Sequence, residues 1–225
     1  MDGLKEQFER IFEQLEQQFY VKSWVSERSK LIFILESPHV QELKYGAPVS
    51  GSSGSTMSKH LFGSEFGKPL GRLIAKNTEE ALHRPSLDVI GLMNVCGIPM
   101  QRKAYGQPEV IRKHGAFFDV LEAVRKSNQQ DVYRNGSWNV MQEVILERFR
   151  ARLNGIKGKT CTLVPCGRFA QKFYRLAGVS DPSWTVIHGV PHPSYNSWDR
   201  ERYRGEIHKV QQAFISARNA LGGLN

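Results

Sequence analysis

Two short stretches of this chain combine acid–base side chains with tight turns. In residues 35–54, the turn Glu36-Ser37-Pro38-His39 follows directly on the apolar run Leu31-Ile32-Phe33-Ile34-Leu35, and a Gly/Ser-rich loop closes the stretch. Far downstream, Val186-Ile187-His188-Gly189-Val190 runs into Pro191-His192-Pro193-Ser194-Tyr195-Asn196-Ser197-Trp198. The first stretch places a carboxylate at a strand's carboxyl end, beside backbone N–H groups able to hold an anion. The second places an imidazole at the end of another strand. Ligands of open α/β sheets bind at strand carboxyl ends. The two loops together predict an active site.

The surrounding patterning alternates between two periods. Leu4, Phe8, Ile11, Phe12, Leu15 and Phe19 fall at helical spacing and predict an amphipathic helix over 2–20. Strands are expected at 31–35, 86–94, 159–165 and 184–190. Helices are expected at 55–62, 68–76, 108–127, 138–153, 167–176 and 200–221. Strands separated by helices predict the α/β class, here a three-layer α/β/α sandwich around a mainly parallel four-stranded sheet. Residues 1–28 read as an N-terminal amphipathic helical extension packing on one domain, residues 29–225.

Composition narrows the function. A chain of 225 residues with 40% hydrophobic and 10% aromatic content can bury a core and is not disordered. No apolar run approaches the roughly 18–20 residues that span a bilayer. The acidic, amphipathic start lacks the basic and apolar regions of a secretory leader. No membrane is expected, and the cytoplasm is the default compartment. Cys96, Cys161 and Cys166 are too few for a disulfide scaffold or for the four thiolates of an iron–sulfur cluster. Neither a metal nor an organic cofactor is expected. The formal charge is +9, and the first 20 residues are acidic, so the excess sits in the body. It gathers at Lys59-His60, Arg102-Lys103, Arg112-Lys113-His114 and Arg200, Arg202 and Arg204. Cations around a cleft suit a polyphosphate, which makes nucleic acid the leading partner. The chain is expected to act as a monomer.

Residues 30–200 resemble the uracil-DNA glycosylase superfamily. Its iron–sulfur branch has a first motif Gly-Glu-Ala-Pro-Gly-x-x-Glu-x-x-x-Gly-x-Pro-Phe-x-Gly-x-Ala-Gly. Residues 35–54 fit it without a gap at Glu36, Pro38, Glu42, Gly46, Pro48, Gly51 and Gly54. Met93-Asn94-Val95 with Pro99 resembles the second motif, and His192-Pro193-Ser194 followed by Tyr195 resembles the last. Leu163-Val164-Pro165-Cys166-Gly167-Arg168 is similar to the family's turn from strand into helix. Ser37 stands where other branches carry the Asp or Asn that handles water. Val49 stands where a Phe stacks on the flipped base, and His39 replaces a small Gly. The N-terminal Cys pair of the cluster-bearing branch is absent.

The resemblance implies a monofunctional DNA glycosylase that flips a pyrimidine nucleotide from DNA and leaves an abasic site. Glu36 would stabilise the oxocarbenium-like sugar and activate water. His192 would donate to the anion developing on the leaving base. Asn94 would meet the base's Watson–Crick edge, with Ser37, His39, Glu42 and Val49 completing the substrate pocket; Glu42 reads equally as a loop anchor. Ser50, Gly51, Ser53 and Gly54 would approach phosphates, Ser194 would contact DNA, Tyr195 and Trp198 would enter the duplex as a wedge, and Arg200 would grip phosphate. The departures at Ser37, His39 and Val49 point away from plain uracil. They favour a modified pyrimidine such as the glucosylated hydroxymethylcytosine of phage DNA, in antiviral defence.

Other classes stay open. Uracil excision in base-excision repair is the alternative enzyme. A non-catalytic DNA-binding module would keep the basic cleft and Asn94. A cysteine hydrolase would pair Cys166, at a helix amino terminus, with His192. Residues 51–59 lack the Gly-Lys-Ser/Thr ending of a phosphate-binding NTPase.

Overall fold

Strand β1 (Leu31–Leu35) is apolar at all five positions, and every one of them is buried. Alternation sends Ile32 and Ile34 to one face and Leu31, Phe33 and Leu35 to the other. A strand that is apolar on both faces needs cover on both, and a parallel sheet between helical layers supplies it. The computed structural model, which describes residues 2–222, has this arrangement. β2 (Ile90–Asn94), β3 (Cys161–Pro165) and β4 (Trp184–Val186) join β1 in the order β2-β1-β3-β4, with every pair parallel.

The helices, in chain order, are α1 (Asp2–Phe19), α2 (Val40–Tyr45), α3 (Ser52–Phe62), α4 (Leu70–Glu79), α5 (Pro85–Asp88), α6 (Pro108–Lys113), α7 (Gly115–Lys126), α8 (Gly136–Asn154), α9 (Gly167–Ala177) and α10 (Arg204–Gly222). Apolar faces of α1, α7, α8 and α9 cover Ile32 and Ile34. α3, α4, α5 and α10 cover Leu31, Phe33 and Leu35. The result is the three-layer α/β/α sandwich, and no helix among the described residues is long and apolar enough to cross a membrane.

Several elements differ from the sequence expectation for local reasons. Pro85 opens the short helix α5, so the second strand begins only at Ile90. The helix expected over 108–127 breaks at His114 (φ −119°, ψ 33°) into α6 and α7. The fourth strand stops at Val186, and Gly189 (φ 79°) turns the chain toward the end of β3. The Ser/Gly run is not a loose loop: α3 already begins at Ser52, with Gly51 as its N-cap. On the outer edge of β2, Trp24 exchanges backbone hydrogen bonds with Leu92 at 2.8 Å, which closes that edge.

α1 is stitched into the same core as the sheet. Phe8 and Phe12 meet the Phe117 ring edge-on at 5.7 and 5.4 Å, and Lys5 donates to Glu147 at 2.6 Å. We therefore predict that Phe12→Ala lowers unfolding stability by about 3–5 kcal/mol in urea titration. A loss under about 1 kcal/mol would show α1 to be a dispensable appendage.

Candidate active site

The chain leaves β1 toward β2 on one side and reaches β3 on the other. The carboxyl ends of β1 and β3 therefore flank the point where strand order reverses, the usual ligand crevice of such sheets. A cleft of about 860 Å³ opens there. Its walls come from the turn after β1, the start of α3, the start of α9, the loop after β4 and the end of α7.

Glu36 follows β1 immediately, and its side chain is only 20% exposed. Burial raises its pKa above the ordinary carboxylate value, and the Arg125 guanidinium opposes that shift. Arg125 donates Nε–H to Glu36 Oε1. His192 lines the same cleft, in a loop pinned from several sides. Gly167 N–H and Gln171 Nε2 both donate to the Val190 carbonyl, at 2.9 and 2.8 Å. Trp198 Nε1 donates to the Pro191 carbonyl at 2.9 Å, and Ser197 Oγ donates to the His192 carbonyl. Gly167 (φ 85°) is needed for the approach, since a Cβ there would lie 2.8 Å from His192 Cβ.

The His192 ring has a defined proton. Ser194 N–H donates to Nδ1 at 3.2 Å, and Ser194 Oγ lies 2.9 Å from the same atom. A backbone N–H can only donate, so Nδ1 is the acceptor and Nε2 carries the hydrogen. Burial, then the charge of Arg125, pushes the imidazole pKa down to about 4. The ring is therefore a neutral N–H donor at physiological pH.

Glu42 is a loop anchor. Its Oε2 accepts from His39 N–H at 2.7 Å and its Oε1 accepts from Val49 N–H. Both oxygens are committed to the backbone, and burial lifts the carboxyl to about 7. The clamp holds Val49 at φ 49°, a left-handed conformation that is strained for a β-branched residue. Gly54 passes beneath it, where a Cβ would lie 1.7 Å from the Val49 carbonyl oxygen.

Of the residues expected at the site, Glu36, Ser37, His39, Glu42, Val49, Gly51, Ser53, His192, Ser194, Tyr195 and Arg200 line the cleft. Four need correction. Asn94 is 2% exposed, stands off the cleft opposite Leu35 in the sheet, and has no partner for either amide atom among the described residues. Trp198 is 2% exposed and packs on Phe33, with centroids 6.1 Å apart, so it is core and not a wedge. Ser50 is buried and donates to the Ala47 carbonyl at 2.7 Å. Gly54 is buried because the loop lies across it. Tyr195, 90% exposed, is the aromatic that projects at the rim.

Sequence motifs overlooked Arg125, Gln101, Asn128 and Gln171. Nothing local in the sequence separates Arg125 from an ordinary cation in the last turn of a helix, where it suits the macrodipole. The cysteine-hydrolase alternative loses its nucleophile. Cys166 is buried, donates toward the Val164 carbonyl at 3.3 Å, and has its thiol pKa pushed far up by burial.

Glu42 sets a pH dependence of stability. Its folded pKa lies above the unfolded one, so its contribution is complete below 4.5 and is lost as pH rises through about 7. We predict that unfolding free energy declines over that window and that Glu42→Gln flattens the decline. The same variant should cost about 1–3 kcal/mol at low pH by mismatching one N–H. An identical pH slope in both proteins would exclude Glu42 as the titrating group.

No protein family model matches the chain and no curated protein is detectably similar to it, so the functional reading rests on these side chains.

Proposed function

We propose that this chain is a monofunctional DNA glycosylase acting on a flipped, modified pyrimidine. The observation that carries the reading is one cleft holding a partly buried carboxylate, Glu36, and a neutral N–H donor, His192. N-glycosidic hydrolysis develops positive charge on the sugar and negative charge on the departing base. Glu36 serves the first by stabilising the cation and deprotonating the attacking water. His192 Nε2–H serves the second by donating to the base's developing oxyanion. Water adds to the anomeric carbon, the C–N bond breaks with its electron pair going to the base, and Glu36 releases the proton it took from water as the base takes one up from solvent. No lysine stands in a motif position for Schiff-base chemistry, so the strand itself is left uncut.

Two further features support DNA as partner and a large base as substrate. Arg168, Arg200, Arg202 and Lys103 stand around the mouth, where cations suit a phosphate backbone. The cleft volume lies near the top of the ordinary 300–1,000 Å³ range. Val49 offers no aromatic platform, which forfeits about 1–3 kcal/mol of base stacking. A bulky substituent on the pyrimidine would recover that through contacts of its own, as in glucosylated hydroxymethylcytosine.

Base release measured by mass, with abasic sites read by alkaline cleavage, tests the proposal. The substrates are single- and double-stranded DNA carrying uracil, thymine opposite guanine, hydroxymethylcytosine or its glucosylated form. Glu36→Gln should abolish release while leaving DNA binding intact. His192→Ala should slow release about 10²–10³-fold. Rapid release of uracil with none of the modified bases would replace the substrate assignment by uracil repair. Tight DNA binding with no base released from any substrate would mark a binding module.

A further inference from the structure

Arg125 belongs to no motif, yet it stands where two tasks meet. It lies in the last turn of α7, 89 residues from its partner Glu36, with its side chain 27% exposed to the cleft. Only Nε is engaged. Nη1 and Nη2 make no hydrogen bond among the described residues, although a guanidinium presents them as a fork.

The neighbouring wall has the same character. Lys103 is exposed in the turn Arg102–Ala104, and Asn128 follows just after α7; neither has a hydrogen-bond or ion-pair partner among the described residues. The turn is fixed to α7, because Arg102 N–H donates to Glu122 Oε1 at 2.8 Å and the Arg102 guanidinium pairs with Asp119. Lys103 and Arg125 therefore share one rigid surface. Their charges reach the same neighbour, since both hold the His39 imidazole below its ordinary value, after burial. Arg125 pairs with Glu36, and Lys103 on the same wall has no acidic partner among the described residues.

On the reading of this cleft as a DNA site, we infer that Arg125 is a positioning residue that also builds a phosphodiester subsite. Its Nε–H fixes the Glu36 carboxylate, while its Nη fork, with Lys103 and Asn128, takes the phosphate beside the flipped nucleotide. A phosphate fits because a planar fork matches two non-bridging oxygens and an ammonium adds charge without demanding direction. Strand binding and carboxylate orientation then depend on one side chain. The charged or titratable groups that line the cleft with Glu36 are His39 and Glu42 from α2 and its cap, Lys103 from the turn, Arg125 from α7, Cys166 and Arg168 at the start of α9, and His192, Tyr195, Arg200, Arg202 and Tyr203 from the segment after β4.

The test uses the full chain with Arg125→Gln, Arg125→Lys and Lys103→Gln, and with exposed Arg134→Gln as control. Two readouts need no turnover: the salt dependence of binding to an unmodified duplex, and the ionisation of Glu36 followed by carboxyl-carbon NMR. Arg125→Gln and Lys103→Gln should each reduce the slope of log affinity against log salt by about 0.9, and Arg134→Gln should leave it unchanged. Arg125→Lys should keep the slope. Arg125→Gln should raise the Glu36 titration midpoint, and Lys103→Gln should move it less. In turnover, Arg125→Lys should lose kcat at unchanged KM, and Arg125→Gln should lose both.

An unchanged slope in both Arg125→Gln and Lys103→Gln would overturn the subsite. An unmoved Glu36 titration in Arg125→Gln would overturn the positioning role. Lys103→Gln alters an exposed side chain, so it reports on the subsite even where an Arg125 variant fails to fold. Base release without these signatures would defeat this inference and leave the glycosylase reading standing. The signatures without base release would do the reverse.

Discussion

Everything at the cleft depends on the pairing of β1 along both of its edges. The strand has no exposed residue, and it is held in parallel register to β2 on one side and β3 on the other. That double pairing makes the strand order reverse beside β1. It also brings the residue after β1, Glu36, into one crevice with the turn after β3, on which the His192 loop rests. Shifting a strand by one residue would exchange its two faces and move apolar side chains out of both layers. The geometry of the cleft is thus secured by hydrophobic burial well below it.

Above that base, the segment after β1, which includes the short helix α2, is closed by hydrogen bonds to one side chain. Glu42 spends both oxygens on the backbone N–H groups of His39 and Val49, and so closes residues 39–49 into a fixed arch. The arch carries strain at Val49, of order 1–3 kcal/mol for a non-glycine residue held left-handed. Asn94 adds a buried amide without partners among the described residues, a further cost of about 1–3 kcal/mol. Such costs gather where a chain is shaped for a purpose other than its own stability.

The electrostatics of the cleft are arranged in opposition. Burial alone would favour a neutral Glu36, and Arg125 counters it; burial and the same arginine both favour a neutral His192. One guanidinium thus biases a carboxylate toward its anion and an imidazole toward its uncharged form. The cleft thus holds an acceptor favoured as its anion and an uncharged N–H donor, both set by fixed surroundings.

The sequence by itself determined the layers. The continuous apolar run of β1, the helical spacing from Leu4 to Phe19 and the alternation of strands with helices are local patterns, and each has one economical burial. It also marked Glu36 and His192, because polar residues directly after apolar strands stand out in one dimension. What only the tertiary structure decided was which polar side chains remain free for a ligand. Glu42 turned inward because two backbone N–H groups converge on it. Trp198 went to the core because Phe33 and the Pro191 carbonyl offered an apolar surface and an acceptor together. Asn94 was drawn under by its place in the sheet, while Arg125 reached Glu36 across 89 residues. Those outcomes depend on contacts between distant segments, which exist only once the two layers have closed on the sheet.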